Sequence, residues 1–583
     1  MLRFASVAVA AAAVVMLLAT AAVGAAADTL VNTGSPPSPF SQNKQNEPAV
    51  AIDPINPNVV VAGSNDEIDL EACAAGNPAS CPFTDGVGVS GVYFSSTGGS
   101  SWTQPSYSGW TARDCLGPAS CTPHVGPIGT LPWYYENGLV SDGDPAIAFG
   151  PRPDSSGHFS WMNGERLYYA NLTSNFSAAR SEAAFPGFEA VAVSRTDNVA
   201  AAAGGTQSAW MPPVLVSKQN AALFSDKESL WGDNAASSPY FGNVYLCNAS
   251  FRAAVSHSGN AEPAPIIFAR STDGGSSWQD KQISKAANNS TGNGRQDCAV
   301  RTDSHGVVYV MWQGGTPGGA KANATTGAIY LDRSFDGGVS FEQPQVITTF
   351  TPCGQFDPNT GRFSFDGVGG ARTGTSPSFG IANGAPTGAN APNTIVLTWC
   401  NGPTPTDTSP GPNEQALVTV GTQSGTHWSL AVNASPASDR PDFPAVTVSP
   451  NGSDVYLDYD NFLQPWQSSP LAPPRLMQGV VRHADLIGAT MGSFADLFRG
   501  PTGDARGSSQ NGLTAEFLGD YNSVDATNSG AVAVYNDVRN AADCAAIDAF
   551  RAGTAPPPPV ETACAPTFGN SDIYGGNFPD PTP

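Results

Sequence analysis

The stretch Ser271-Thr272-Asp273-Gly274-Gly275-Ser276-Ser277-Trp278 is the most informative part of this sequence for the fold. Its two adjacent glycines allow the positive φ that a tight turn needs, because glycine has no Cβ. The aspartate before them can accept hydrogen bonds from the N–H groups of its own turn. The tryptophan returns on the next strand and packs its ring against apolar neighbours. The stretch therefore predicts a β-hairpin that covers a buried layer.

The same octapeptide recurs along the chain. Ser334-Phe335-Asp336-Gly337-Gly338-Val339-Ser340-Phe341 is a second intact copy, and Ser95 to Trp102 is a third, with Thr97 where the aspartate belongs. A fourth, degraded copy keeps only Gly425 and Trp428. We assign a structural role to the following residues: Ser271, Asp273, Gly275, Trp278, Ser334, Asp336, Gly338, Phe341, Gly99 and Trp102.

These octapeptides resemble Asp boxes, Ser/Thr-x-Asp-x-Gly-x-x-Trp/Phe, which are also called BNR repeats and are typical of the sialidase/neuraminidase superfamily. The resemblance implies a β-propeller in which the boxes lie at the rim, away from the catalytic face. They therefore indicate the fold, and function must be argued from other residues.

A longer repeat surrounds the boxes. A polar residue, often followed by Pro, opens an apolar strand, a turn follows, and a second strand of the type Val-Tyr-Val comes next. Seven such units begin at or near Glu47, Asp144, Asp226, Asp297, Ser376, Pro441 and Gly519. With 63 Gly and 50 Pro, the composition disfavours helices. We expect an all-β, multi-bladed β-propeller of seven repeats, with six blades as the alternative, and long inserted loops.

The chain begins with the features of an export signal. Arg3, the apolar run from Val7 to Val23 and the small residues Ala25 to Ala27 predict a signal peptide over 1–27 and a secreted protein. We expect an N-terminal coil over 28–46, the propeller over 47–577 and a tail over 578–583. The net charge of −23 argues against binding to nucleic acid or to anionic membranes, and we expect a monomer.

Ten cysteines in an exported chain predict disulfide bonds. Two pairs are close in sequence, and the other six are paired by proximity. The predicted bonds are Cys73–Cys81, Cys115–Cys121, Cys247–Cys298, Cys353–Cys400 and Cys544–Cys564.

The resemblance to sialidases implies three arginines that clamp a carboxylate, a tyrosine nucleophile and a glutamate that activates it. The candidates, chosen by location alone, are Tyr521, Glu228, Arg295, Arg372 and Arg440. The chain departs from the family at its first repeat, where sialidases carry Arg-Ile-Pro and this sequence has Glu47-Pro48-Ala49. The arginine clamp must therefore be rebuilt or absent.

Carboxylates also recur at the starts of the inner strands, where a propeller brings them into one funnel. We expect no required cofactor, and we regard Asp144, Asp297, Asp442 and Asp520 as candidate ligands of a divalent cation, with Ca²⁺ favoured by oxygen donors. The alternatives are that each aspartate caps its own turn, or that crowding raises their pKa values and protonates some of them.

These features predict a secreted sialidase-like propeller that recognises and hydrolyses an extracellular glycan or glycoprotein. One alternative is a non-catalytic propeller that binds protein or polysaccharide. Another is a glycan lyase, or a glycosidase that uses two carboxyl groups. Convergence of an arginine cluster and a Tyr–Glu pair in the funnel would separate the sialidase from the others.

Overall fold

The computed structural model describes residues 27–34, 44–176, 184–185, 187–217, 220, 223–253, 260–261, 264–285, 295–315, 326–357, 362–364, 372–402, 413–465, 471 and 474–583. These residues form a seven-bladed β-propeller, which confirms the all-β prediction and the count of seven repeats. The predicted signal peptide lies outside the described residues except for Ala27. Within the described part, no helix is long and apolar enough to cross a membrane.

The strands follow one another blade by blade along the chain. The first is β1 (Thr29–Leu30), and blade 1 contains β2 (Gln45–Ile52), β3 (Val60–Asp66) and β4 (Ser90–Ser95). An inserted hairpin follows, formed by β5 (Tyr107–Thr111) and β6 (His124–Ile128). Blade 2 contains β7 (Leu139–Ser141), β8 (Ala146–Pro153), β9 (Phe159–Asn175), β10 (Ala190–Thr196) and β11 (Trp210–Leu215). Blade 3 contains β12 (Leu223–Gly232), β13 (Val244–Ala253), β14 (Asn260–Ala261), β15 (Ile266–Ser271) and β16 (Gln279–Gln282).

Blade 4 contains β17 (Arg295–Thr302), β18 (Val308–Gly315), β19 (Gly327–Ser334) and β20 (Gln345–Phe350), and a second inserted hairpin, β21 (Gln355–Asp357) and β22 (Arg362–Ser364), follows it. Blade 5 contains β23 (Ser378–Ile381), β24 (Ile395–Asn401), β25 (Gln415–Thr422), β26 (His427–Trp428) and β27 (Val432–Asn433). Blade 6 contains β28 (Pro441–Val448), β29 (Asp454–Phe462), β30 (Leu476–Ile487), β31 (Thr490–Met491), β32 (Ala495–Arg499) and β33 (Gly503–Asp504). Blade 7 contains β34 (Ser523–Thr527), β35 (Gly530–Asp537) and β36 (Asp572–Pro579).

Helices are few and short in the described residues. The α-helices are α1 (Val199–Ala203), α2 (Ala545–Arg551) and α3 (Val560–Ala563). The 3-10 turns are Glu67–Asp69, Tyr135–Asn137, Gln207–Ala209 and Ala505–Gly507.

The ring closes through its first strand. β1 pairs with β36, so the N-terminal segment supplies the outermost strand of blade 7 before the chain enters blade 1. The interval 28–46, which we expected to be coil, therefore contains β1 and the first residues of β2. The inner strands β2, β8, β12, β17, β23, β28 and β34 contact one another in a closed circle.

The apolar core consists of layers between neighbouring blades. For example, Val61 of blade 1 packs with Ile147 and Leu167 of blade 2, and Val60 packs with Val532 of blade 7. A single sheet cannot bury both of its faces, so radial stacking satisfies the apolar faces that the repeat creates.

In blades 3, 4 and 5 the octapeptides lie in the hairpins between the third and fourth strands of the sheet order. In blade 3, the Asp273 carboxylate accepts hydrogen bonds from the backbone N–H groups of Ser276 and Ser277, at 3.0 and 2.9 Å. Gly275 and Gly338 have φ of +79° and +84°, as the turn requires. The closing aromatics all pack into the layer shared with the preceding blade: Trp102, Trp278, Phe341 and Trp428. These contacts give the octapeptides a structural role.

The cysteines form four of the five predicted disulfide bonds, which are Cys73–Cys81, Cys247–Cys298, Cys353–Cys400 and Cys544–Cys564. The predicted bond between Cys115 and Cys121 is not formed, and both are free thiols in a half-buried loop. Proximity in sequence was the basis of that prediction, but closeness along a loop does not fix the Cβ geometry that a disulfide needs.

Candidate functional site

The upper face of the propeller, where the inner strands begin, carries one residue from each blade at the same repeat position. These residues are Glu47, Asp144, Lys227, Asp297, Ser376, Phe443 and Tyr521. Six of them, all but Tyr521, have positive φ, between +38° and +57°. Non-glycine residues adopt this conformation at a cost of about 1 kcal/mol or more, and such strained residues cluster at functional sites.

A β-bulge explains this geometry. In blades 1, 3, 4 and 6 the pairing of the inner strand with the second strand shifts at this position, for example between Asp226 and Ser229. The extra residue turns its side chain toward the propeller axis. Side chains from this repeat position line one opening, which we call the funnel: Lys227, Asp297, Ser376, Phe443 and Tyr521, with Glu47 and Asp144 beside Lys227.

Lys227 occupies the centre of the funnel. Its ammonium contacts the carboxylate of Asp520 and lies 3.8 Å from Glu47 Oε1 and 3.9 Å from Asp144 Oδ2. It also lies 5.5 Å from the centre of the Tyr521 ring. Three blades therefore place carboxyl groups around one cation supplied by a fourth.

Arg372 joins this cluster from the segment that precedes blade 5. Its Nε and Nη2 donate to both oxygens of Asp520, at 2.7 and 2.6 Å, and Nη2 lies 3.8 Å from Glu47 Oε1. Its side chain is 43% exposed, whereas Lys227 is 11% exposed. Arg372 therefore covers the cluster on its solvent side.

The environment separates the pKa values of these carboxyl groups. Burial and the neighbouring Glu47 carboxyl raise the pKa of Asp144 well above its usual value, although Lys227 opposes this. Burial would also raise the pKa of Asp520, but Lys227 and Arg372 together lower it below its usual value. Burial raises the pKa of Asp297 to about 6. The two cations thus favour the ionised form of Asp520, whereas burial favours the protonated forms of Asp144 and Asp297.

Glu228 stands next to Lys227 on the funnel wall, at a position that is proline in blades 1, 2, 5 and 6. Both of its carboxyl oxygens are buried, and neither accepts a hydrogen bond from another residue that the structure describes. Burial, and secondarily the Asp226 carboxylate, raises the pKa of Glu228 well above its usual value. A buried carboxyl group without a partner is costly, so a protonated Glu228 is available as a hydrogen-bond or proton donor.

Tyr521, the predicted nucleophile, lies among the carboxyl groups of the funnel. Burial and the carboxyl groups of Asp144, Glu47, Glu228 and Asp520 raise the pKa of its phenol well above 10. A phenolate is therefore disfavoured there. The neutral hydroxyl can act as a hydrogen-bond donor.

Arg301 lines two cavities of the propeller, the funnel and a second one. Its guanidinium stacks between Trp231 and Phe379, with ring distances of 4.8 and 5.7 Å, and burial lowers its pKa to about 10. The funnel cavity, which Lys227, Glu228 and Tyr521 line, has a volume of about 180 Å³. The second cavity, which Arg301, Asp525 and Asn528 line, has a volume of about 340 Å³.

The sequence-based catalytic set is only partly assembled. Tyr521, Glu228 and Arg372 lie in or beside the funnel. Arg440 lies at the start of β28, where its Nη1 donates to the Leu463 carbonyl at 3.3 Å, outside the cluster. Arg295 begins β17, and its side chain lies outside the described residues. Among the described side chains, no clamp of three arginines forms.

The predicted cation site does not fit the residues present. Asp144, Asp297 and Asp520 surround Lys227, whose ammonium already supplies the positive charge. Asp442 lies elsewhere, fully buried beside Thr373 and the Cys353–Cys400 disulfide. The bulge explains the error, because Phe443 and not Asp442 occupies the repeat position of blade 6.

Sequence reasoning missed two parts of this site. Lys227 was not identified from the sequence as a funnel residue, because we started the third repeat at Asp226, one residue before the repeat position. The Lys227-Glu228 pair stands where other repeats have a residue followed by Pro, and that comparison could have revealed it. Glu189 and Asp142 form a second carboxyl pair beside the funnel, and burial raises both pKa values, that of Asp142 to about 6. No local motif marks that pair.

Comparison with family models and with curated proteins finds no match. Solved structures that resemble the chain include a Hadza microbial sialidase, with TM-score 0.37 and 13% identity over 72% of this chain and 64% of that chain. An intramolecular trans-sialidase from Ruminococcus gnavus has TM-score 0.39 and 12% identity, and the match covers 74% of this chain and 92% of that chain. An α-L-arabinofuranosidase from Fusarium graminearum has TM-score 0.37 and 12% identity, and the match covers 74% of this chain and 92% of that chain.

The chain spans 64% of the length of the Hadza microbial sialidase. At these identities the likeness concerns the fold alone. The fold and the funnel define a seven-bladed β-propeller with a charged opening at its upper face.

Proposed function

We propose that this protein is a secreted glycan-acting propeller that binds a neutral, hydroxyl-rich sugar in the funnel and hydrolyses its glycosidic bond. One arrangement carries the proposal: at one opening Asp520 is ion-paired with Lys227 and Arg372, whereas the neighbouring Glu228 carboxyl is buried without a partner among the described residues. Two carboxyl groups with separated pKa values are the usual requirement of glycoside hydrolysis. The proposal retains the Asp-box relationship suggested by the octapeptides and changes the predicted substrate class.

The charge of the funnel favours a neutral sugar over sialic acid. A sialic acid carboxylate needs a cluster of free arginines. Among the described side chains, Arg372 is the arginine at the opening, and Asp520 already binds it in a bidentate manner. Hydroxyl groups of a neutral sugar can donate to Glu47 and Asp520 and accept from Lys227 and Tyr521.

Each side chain then has a defined role. Glu228 donates its proton to the glycosidic oxygen as that oxygen leaves the anomeric carbon. A water molecule then bonds to this carbon and gives up a proton, which restores the Glu228 carboxyl. Asp520 remains ionised and stabilises the positive charge that develops on the sugar ring. Lys227 and Arg372 keep Asp520 ionised, and Arg372, which is the most exposed member, can move aside when the sugar enters.

A glycan array tests the ligand class. Purified protein should bind neutral oligosaccharides and should not bind sialosides. Tyr521→Phe keeps the ring and removes one hydrogen-bond donor, so we expect binding to weaken about tenfold. Tyr240→Phe, on the rim near Phe335, is the matched control and should bind as the wild type does. Preferential binding of sialosides, or equal loss in both variants, would refute the assignment.

A non-catalytic propeller is the second candidate, and one observation favours it. Lys227 and Arg372 already satisfy Asp520, so the funnel is close to electrostatically balanced without a substrate. Glycan binding without release of sugar would support this candidate.

A further inference from the structure

Three side chains suited to metal binding meet far from the funnel, at the boundary between blades 6 and 7. Asp454 begins β29, His483 lies in β30, and Asp580 follows β36. All three side chains are at most 5% exposed. His483 Nε2 lies 3.1 Å from Asp454 Oδ1 and 3.8 Å from Asp580 Oδ1, and one ligand atom from each residue lies within 4.8 Å of the others.

The position of His483 in its blade explains why an imidazole meets a carboxylate here. It pairs across the sheet with Tyr456, as Arg270 pairs with Tyr245 in blade 3 and Arg333 with Tyr309 in blade 4. Those two arginines donate to backbone carbonyls of the following blade, at Gly337 and Ser424. In blade 6 a histidine replaces the arginine, and Asp580 of blade 7 replaces the carbonyl.

Tyr456 provides an independent indication of a ligand. Its side chain is fully buried, and its hydroxyl makes no hydrogen bond with any residue that the structure describes. Its ring lies 5.1 Å from the imidazole of His483. A buried hydroxyl without a partner is costly unless a bound group satisfies it.

The C-terminal tail holds Asp580 in place. The backbone N–H of Thr582 donates to Asp580 Oδ1 at 2.8 Å, and the Thr582 hydroxyl donates to Asp485 Oδ1 at 2.6 Å. Asp485 is 52% exposed, and its Oδ1 lies 3.9 Å from His483 Nε2. The cluster is therefore fixed on one side by the tail and open to solvent at Asp485.

We propose that Asp454, His483 and Asp580 bind a Zn²⁺ ion that fastens the C-terminal tail of blade 7 to blade 6. Tetrahedral Zn²⁺ bound to nitrogen and oxygen places its ligand atoms about 3.3 Å apart, close to the 3.1 and 3.8 Å found here. A water in the fourth position would accept a hydrogen bond from Tyr456. Ca²⁺ needs six or more oxygen ligands, so a site with three side chains that includes an imidazole favours Zn²⁺.

Calorimetric titration of the full chain with ZnSO₄ tests the proposal. The thiols of Cys115 and Cys121 are first alkylated, because thiolates also bind zinc. We expect one ion per chain and a melting temperature that rises with the logarithm of the free zinc concentration. Co²⁺ in place of Zn²⁺ should give the visible absorption of a tetrahedral site.

Variants locate the ion. His483→Gln and Asp580→Asn should each raise the dissociation constant at least about 100-fold. His427→Gln removes an exposed histidine of β26 and should bind as the wild type does. Asp580 follows the last strand, so Asp580→Asn keeps the test valid if His483→Gln fails to fold. Absence of binding by the wild type, or unchanged binding in Asp580→Asn, would overturn the proposal.

Discussion

The ammonium of Lys227 contacts the carboxylate of Asp520, although 293 positions separate the two residues in the sequence. Blades 3 and 7 supply them, so the contact crosses the axis region of the propeller. Both groups are largely buried, at 11% and 15% exposure. This pair organises the funnel, because Arg372, Glu47 and Asp144 all lie around it.

Removal of the Lys227 ammonium should destabilise the fold. Lys227→Met leaves the carboxyl groups of Glu47, Asp144 and Asp520 without their shared cation. Breaking a buried ion pair by removing one partner costs about 3 to 5 kcal/mol, and urea unfolding of the variant measures this loss. Lys281→Met, at an exposed position of β16, is the control and should change stability by under about 0.5 kcal/mol. Equal stability of the two variants would contradict the central role of Lys227.

The free energy of unfolding should decrease as the pH rises from acidic to neutral. Burial raises the pKa of Asp458 well above its usual value, raises that of Asp297 to about 6 and raises that of Asp233 to about 7. A group whose pKa is raised by folding binds its proton more tightly in the folded state. Its contribution to the free energy of unfolding is therefore complete below the pKa of the unfolded state, about 4. This contribution is lost as the pH rises through the pKa of the folded state. We expect the free energy of unfolding to fall between about pH 4 and 7.

Urea unfolding at several pH values checks this dependence. Asp458→Asn removes one titrating group, so it should stabilise the protein near pH 7.5 and flatten the pH profile. Asp280→Asn, on the outer strand β16, should leave the profile unchanged. A stability that increases from pH 5 to 7.5 would show that these carboxyl groups are ionised in the folded protein.

The Asp273 turn should contribute measurably to stability. Asp273→Ala removes two hydrogen bonds to the backbone and should lower the free energy of unfolding by about 1 kcal/mol. Trp278→Ala leaves a cavity in the layer between blades 2 and 3 and should lower it by about 3 kcal/mol. Thermal unfolding measures both effects, with Thr272→Ala at the exposed turn position as the control. If folded Asp273→Ala lost glycan binding, the rim position of this turn would have to be reconsidered.

Two cysteines should react with thiol reagents in the oxidised protein. Denaturation without reductant, followed by iodoacetamide and peptide mapping, should label Cys115 and Cys121 and leave the other eight unlabelled. Absence of label at both positions would mean that the bond predicted from the sequence does form.

Much of the fold could be predicted because its signals are local. The Asp273 and Asp336 turns, the alternation of strands and the seven repeat starts each depend on a few neighbouring residues. The closure by Thr29–Leu30 was not predictable, because a two-residue strand has no pattern of its own and depends on pairing with β36.

The site was less predictable, because it depends on a one-residue shift in the pairing of the inner strand with the second strand. The bulge moves Lys227 and Phe443 to the axis in place of Asp226 and Asp442, and period-2 alternation does not reveal such a shift. Glu228 and Tyr521 were found because they adjoin repeat starts. Arg440 was proposed on the same basis, but it binds the Leu463 carbonyl instead.

The central claim is that Glu228 and Asp520 act as the acid and its ionised partner in glycoside hydrolysis. The most direct measurement is the release of reducing sugar from a panel of neutral oligosaccharides and sialosides by the wild type, Glu228→Gln and Asp520→Asn, with the exposed Glu561→Gln as control. We expect the wild type and Glu561→Gln to release sugar from a neutral substrate, and each funnel variant to be at least about 100-fold slower. Undiminished release by Glu228→Gln and Asp520→Asn, or release from sialosides alone, would contradict the account.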